Sequence, residues 1–434
     1  MDYVPRRTLE TLFRRVSRRS LLDRLHAVRA LAEARGMRYV DDAGRQRLID
    51  IALKPWVLTN GQLYHFHAVA RLLSDALLRV AHLYARLPAV REIIRFEPER
   101  EAWMRLCVHP RSRPLAVLGR LDSTAIYDQA GWRVDFRMLE PNAVGVGGVH
   151  YAPAGCSIAM DVVSDLLERA FPGRAITATP DPRQLLVEEL RAVARRLGRP
   201  LRGLALIENT DFTTGTDEFQ ELARSLTKRG LRSVVADPRE LRLVRGRLTA
   251  VRQAIREGRL VSGLTWEFDQ KSAWELFTDA AYGRYFTAAQ RRFFRAHVLW
   301  TRLVRAATVS DPAGRAVDLP AFIRRNRRRL VLKPNTMFGG EGVVIGHTVG
   351  QGAWERELHR ALHGKERYVV QQAATIPTDT FPMLSDGGVR WRERCVVSGF
   401  FFSSSGIGLV GRFSGLPVVN VSRGGGLIPA LWVH

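Results

Sequence analysis

Apolar residues recur at three- and four-residue spacing from about residue 7 to residue 106, as in Leu72, Leu73, Ala76, Leu77, Val80 and Leu83. That period gathers them on one helix face, so a helical N-terminal region is expected over residues 1–114, ended by the Pro and Arg residues of HPRSRP (109–114). The pattern then shifts to LAVLGRLDSTAIY and WRVDFRMLE on either side of the turn DQAG, which predicts a β-hairpin. Beyond the glycines at 145–148, SIAMDVVSDLLERAF and RQLLVEELRAVARRLG read as helices. The run LALIE, the helical stretch DEFQELARSLTKRG and the run SVVAD then make a βαβ unit, which requires parallel strands with covered faces. A small Rossmann-like domain is expected there, at about 185–310. Further on, RRLVLKPNTMFGGEGVVIG reads as strand, glycine loop, strand, followed by a helix near 352–363 and the strand ERYVVQQ. The remainder is mostly β.

The chain has 434 residues, 46% apolar and 25% charged, which is ordinary globular usage and enough for several cores. The net charge of +24 favours anionic partners in general. Yet only five of the 67 basic residues are lysines (54, 228, 271, 333 and 365), so an arginine bias inflates the count and the charge alone names no partner. Three cysteines, Cys107, Cys156 and Cys395, stand at unrelated spacings that fit neither a disulfide framework nor a zinc site. A reducing cytoplasm is the expected compartment. The first twenty residues carry charge throughout, unlike a secretory signal. The least charged stretch, Val396 to Gly411, is too short and too broken by Ser and Gly to span a membrane.

Candidate chemistry begins at the loop Phe338-Gly339-Gly340-Glu341-Gly342, with Lys333 at the end of the preceding strand. A Walker loop would place Gly-Lys-Ser/Thr at the start of a helix, which is absent here. A glycine hairpin can instead close its backbone N–H groups over phosphates while the lysine supplies a point charge. An ordinary tight hairpin is the other reading. A second group is Arg120, Asp122, Glu140 and Asn142. Within each strand the members are two residues apart and share a face. Whether the two pairs share the same face depends on register: a three-residue loop with Gly131 left-handed would unite all four, and an even loop would separate them. United, they make an all-oxygen site suited to magnesium, with Arg120 facing a transferring phosphoryl group and Val134, Phe136 and Met138 as an apolar floor. Separated, they are surface ion pairs of a solvated hairpin. YVVQQA (368–373), with Lys365 ahead of it, is on its own a buried strand. In NVSRGGGLIPAL (420–431) the three glycines after Arg423 form either a backbone nest for an anion or a plain turn. The histidines, His65 and His67 included, show no metal spacing.

Taken in order, RLDSTAIYDQAGWRVDFRMLEPN, VLKPNTMFGGEGVVIG, YVVQQ and VNVSRGGG resemble the circularly permuted branch of the ATP-grasp superfamily, which includes the synthetase part of glutathionylspermidine synthetase. The resemblance covers about 115–434. It implies an α+β, circularly permuted ATP-grasp fold: a metal-binding part at 115–184, an inserted Rossmann-like pre-ATP-grasp domain at 185–310, and a nucleotide-binding lobe with the C-terminal part at 311–434. It further implies Asp122, Glu140 and Asn142 as magnesium ligands, Arg120 as stabiliser of the phosphoryl transition state, and Lys333 and Lys365 on the nucleotide phosphates. Gly339, Gly340 and Gly342 would form the lid, and Gln371 and Gln372 the adenine hinge, where the family often has Glu in place of Gln372. Arg394, Arg412 and Arg423, with Gly424 and Gly425, are candidate grips for a substrate carboxylate or acyl phosphate.

The activity so implied is an ATP- and Mg²⁺-dependent carboxylate-amine ligase acting through an acyl phosphate and releasing ADP and phosphate. Its substrates would be a small carboxylate and a small amine, the positive charge favouring an amino acid or acidic peptide over a polyamine. Two other classes stay open. One is a nucleic-acid or acidic-surface binder using RRVSRRS (14–20) and RRNRRR (324–329), although no base-reading module appears. The other is an ATP-grasp protein that binds nucleotide without ligating, or that phosphorylates a different acceptor.

Overall fold

The structure is a computed structural model and describes residues 2–41, 43–98, 101–102, 104, 118–143, 145–208, 218–237, 250–261, 268–337 and 339–434. The expected helix stop at 109–114, Cys107 and Phe338 lie outside the described residues.

The chain is built around an antiparallel-dominated sheet whose order is Asp50–Ile51, Gly426–Ile428, Ile407–Ser414, Gly388–Phe402, Gly119–Ser123 and Met138–Asn142, with Thr378–Ser385 also paired to Gly388–Phe402. The alternation of side chains along these strands sorts them into two cores. Phe400, Phe402 and Leu121 point into a core shared with the helices Asn60–Arg86, Ala273–Thr278 and Ala288–His297. Phe401 and Val410 point the other way, into a core shared with Arg18–Ala34, Tyr151–Ala170 and Pro182–Arg196. Arg120 and Asp122, flanking Leu121, therefore belong to the second face, where apolar packing gives way to a cavity.

The long helix Asn60–Arg86 starts at a capping box in which Thr59 and Gln62 bond reciprocally. Its apolar stripe, including Phe66, Leu73, Leu77 and Val80, is fully buried, and Phe66 stacks on Phe400 at 4.9 Å between ring centroids. The N-terminal region is not wholly helical as the periodicity implies. Asp50–Ile51 and Trp56–Thr59 are strands that pair in parallel with Gly426–Ile428 and Ala430–Val433. They are short, and Trp56–Thr59 is buried on both sides, so no two-residue alternation marks it. The N-terminal segment and the end of the chain thus share sheets.

The βαβ unit is present, with Leu204–Ile207 and Ser233–Ala236 parallel across the helix Glu218–Lys228. Residues 268–298, at the end of the expected Rossmann-like span, pack instead into the core under helix Asn60–Arg86. A second sheet, ordered Thr301–Leu303, Tyr368–Gln372, Leu330–Pro334 and Val344–Ile345, is covered by Leu319–Arg325 and Gln351–His363 around the buried Trp354. Among the described residues no helix is long and apolar enough to cross a membrane.

Candidate functional site

The two hairpin strands place Arg120 opposite Asn142 and Asp122 opposite Glu140, so all four residues share one face. The connection differs from the expected tight loop. Residues 124–137 form an extended turn that buries Trp132 and Phe136, and Gly131 is not left-handed. The apolar floor is likewise smaller than expected, because Val134 is 62% exposed while Phe136 and Met138 are buried. Register survives because Leu139 is an extra residue, a β-bulge between the Asp122–Glu140 and Ser123–Met138 pairs. Its carbonyl, freed from the ladder, accepts from Trp274 Nε1 at 3.2 Å and from Gln371 Nε2 at 3.4 Å.

Asp122 is the centre of a buried charge cluster. Arg120 holds both its oxygens, Nε to Oδ1 at 2.8 Å and Nη2 to Oδ2 at 3.1 Å. Arg412 Nη2 lies 2.8 Å and Asn142 Nδ2 3.2 Å from Oδ2. Burial opposes the charge on Asp122, but the guanidiniums of Arg120 and Arg412 outweigh it and hold the carboxyl below its ordinary range. Room for the Arg120 stem exists because the residue opposite Asp122 on the neighbouring strand is Gly399, where a Cβ would lie 2.8 Å from Arg120 Cδ. Arg120 Nη1 also donates to Gly147 O at 2.6 Å, and Arg412 Nε is buried with no partner.

Lys333 comes from the second sheet, in Leu330–Pro334, and its Nζ donates to Gln371 Oε1 at 2.7 Å. Burial pushes its ammonium down to about 8, opposed by Glu140 and Asp122 and helped by Lys271. The lysine and the hairpin acids, some two hundred positions apart, line one cavity of about 1230 Å³. The sequence reading missed Lys271, which enters the same cavity. It donates from Nζ to Met337 O at 2.6 Å and lies 3.8 Å from Glu140 Oε2. Its position follows from Asn335, two residues after Lys333, whose Oδ1 accepts from Ser272 N at 2.8 Å. Lys271 is thus the second lysine of the cavity, whereas Lys365 is exposed and outside the cavity lining.

Gly339 and Gly340 line the cavity with φ of 70° and 75°, conformations that side chains rarely adopt. The loop lies against residues 418–422: Asn420 Nδ2 donates to Gly339 O at 2.8 Å, and a Cβ on Gly340 would be 2.5 Å from Val418 Cγ1. Gly342 is also left-handed, but packs on Pro334 away from the lining. Gln372 faces the cavity, while Gln371 is buried and spends its side chain on Lys333, Thr301 and Leu139. Arg394, Arg423, Gly424 and Gly425 are outside the lining. Arg394 is half-buried and Arg423 exposed.

The cavity therefore brings Lys271 and Lys333 together with Arg120, Arg412, Asp122, Glu140 and Asn142, with the glycine backbone of 339–340 at its edge. For magnesium, Asp122 is already engaged on both oxygens. Of the hairpin groups, Glu140, with the long contact to Lys271, and the Asn142 amide oxygen are left to a cation. Among the described residues no three His, Cys, Asp or Glu gather as a metal cage. Such a donor set suits magnesium that takes its remaining ligands from water and phosphate.

No protein-family model matches the sequence, and no curated protein matches it. Among solved structures, the chain resembles a glutathione synthetase-like effector from Globodera pallida, in its apo form, at a TM-score of 0.62 over 99% of both chains. The two share one fold. Sequence identity is 11%, so the likeness concerns architecture: a mixed α+β, glutathione synthetase-like chain.

Proposed function

We propose that the protein is an ATP- and Mg²⁺-dependent carboxylate-amine ligase of the circularly permuted ATP-grasp type. The observation that carries this reading is the meeting of Lys333 and Lys271 with Glu140, Asn142 and the Asp122 cluster around one cavity. The glutathione synthetase-like fold agrees with it.

In this reading Lys333 and Lys271 hold the nucleotide phosphates, and the Gly339–Gly340 backbone covers them. Glu140 and Asn142 hold magnesium, which neutralises phosphate charge. Asp122 holds two buried guanidiniums side by side on its carboxylate, so that Arg120 and Arg412 face the phosphoryl group and the acyl phosphate. A substrate carboxylate oxygen attacks the γ-phosphorus and ADP leaves. The amine nitrogen then attacks the acyl carbon and phosphate leaves. No protein nucleophile is needed, because catalysis of this kind is positioning and charge stabilisation. Gln372 and the backbone of 373–376 border the space left for the base.

The test is incubation of the purified protein with ATP, Mg²⁺ and a pool of carboxylates and amines, read by mass spectrometry. ADP with a condensed product, lost in Lys333→Ala, supports the ligase. AMP with pyrophosphate would contradict the acyl-phosphate route.

A further inference from the structure

The cavity continues past Arg120 to a second end that the phosphate chemistry does not use. Its lining there includes Tyr39, Tyr151, Ile207, Phe219 and Glu208. The connection runs through the Gly145–Gly148 turn: Arg120 bonds Gly147 O, and Glu218 receives Gly148 N at 2.7 Å and His150 N at 3.0 Å. Glu218 is thereby committed to the start of helix Tyr151–Ala170. Glu208 is different. It follows the parallel strand Leu204–Ile207, at the carboxyl end where open α/β units receive ligands. Its side chain takes no hydrogen bond or ion pair among the described residues. Burial, and then the neighbouring Glu218, push its carboxyl up to about 7.

We propose that this end is the acceptor subsite for a primary amine carried on an apolar or aromatic body, whose ammonium meets Glu208 and whose body lies among Tyr39, Tyr151, Ile207 and Phe219. The reaction part of this inference rests on the ligase reading; the binding part does not. A carboxylate without a cationic partner, beside aromatic rings, recognises a cation. A second carboxylate, as in an amino acid or acidic peptide, would be brought toward Glu208 and Glu218. Local charge thus reverses the preference that the overall charge of +24 implies. For the chemistry, Glu208 accepts one ammonium proton. The freed lone pair forms the C–N bond, the acyl C–O bond breaks with its electrons on the departing phosphate, and that phosphate takes the second nitrogen proton. A carboxyl that changes charge near neutrality is matched to this exchange.

The charged group that acts on Glu208 is Glu218, with Arg120 beyond it; of the two tyrosines that share the lining, Tyr151 donates its hydroxyl to Arg38 O at 2.6 Å and Tyr39 has Asp50, Asp41 and Arg47 as its charged neighbours. Glu208, pushed up to about 7, goes from about one tenth to about nine tenths ionised between pH 6 and pH 8, and burial pushes Glu218 up as well, so the Glu208→Gln variant is what assigns the pH dependence. Calorimetric titration of the full chain with phenethylamine, without nucleotide, is expected to show about tenfold tighter binding at pH 8 than at pH 6. Glu208→Gln should lose that difference and bind about tenfold more weakly at pH 8, and Phe219→Ala should weaken phenethylamine more than methylamine. Phenylacetate or phenylalanine binding as tightly as phenethylamine would overturn the proposal, as would Glu208→Gln binding like the parent protein. ATP turnover in Lys333→Ala bears on the ligase reading separately.

Discussion

Replacing Lys333 by Met should make the protein more stable while removing nucleotide binding. In the folded chain the ammonium is buried and its protonation falls from an ordinary 10.5 to about 8. At roughly 1.4 kcal/mol per unit, keeping it charged at pH 7 costs the fold about 3 kcal/mol. Methionine has similar length and no charge, so that cost disappears. The substitution also removes the 2.7 Å bond to Gln371 Oε1, worth about 1–2 kcal/mol, although Gln371 keeps its bonds to Thr301 and Leu139. The net expectation is a gain of about 1–2 kcal/mol at pH 7. The pH dependence fixes the cause. Because the folded value is the lower one, the unfolded chain binds more protons between about pH 8 and 10.5. The parent's stability therefore rises through that window relative to the variant's, and the gain shrinks. Urea unfolding of both proteins at pH 7 and pH 9.5, with Mg-ATP titrations at pH 7, measures each part. A variant less stable than the parent at pH 7, or a difference that does not change with pH, would refute the reasoning.

Three further outcomes follow from the site. Asp122→Asn leaves Arg120 and Arg412 without their shared anion and should lower unfolding free energy by about 3–5 kcal/mol in denaturant titrations, with ligation lost. Gly340→Ala must accommodate a Cβ near Val418 at a positive φ, so the lid should seat badly and the KM for ATP in a coupled ADP assay should rise, with little change in melting temperature. Lys271→Ala should reduce ATP turnover about 10²-fold or more in the same assay, while Lys365→Ala should leave it unchanged.

The hairpin, the glycine loop and the Tyr368–Gln372 strand were legible in the sequence because each is local: apolar runs of strand length bounded by turn residues. Their convergence on one cavity was an expectation from resemblance, since no spacing in the chain encodes a contact across two hundred positions. The parallel pairing of Asp50–Ile51 and Trp56–Thr59 with the last strands could not be read at all, because its partners lie nearly four hundred residues away. The bulge at Leu139 was also invisible, yet it sets the register that unites Arg120, Asp122, Glu140 and Asn142. Lys271 did leave a signal. In a chain that uses arginine almost throughout, a lysine draws the eye to a position where a compact ammonium could serve better than a planar fork, and three of the five, Lys54, Lys271 and Lys333, are largely buried. Lys54 has a structural use, pairing with Asp379 at 2.6 Å. That leaves Lys271 and Lys333 as the two that face the cavity.

The central claim is that a hairpin carboxylate and a distant lysine act on the same bound nucleotide. A double-mutant cycle on Mg-ATP affinity with Glu140→Gln, Lys333→Ala and the pair together tests it directly. The account predicts that the two losses are not additive, with a coupling of about 1 kcal/mol or more. Strict additivity, or undiminished affinity in either single variant, would contradict it.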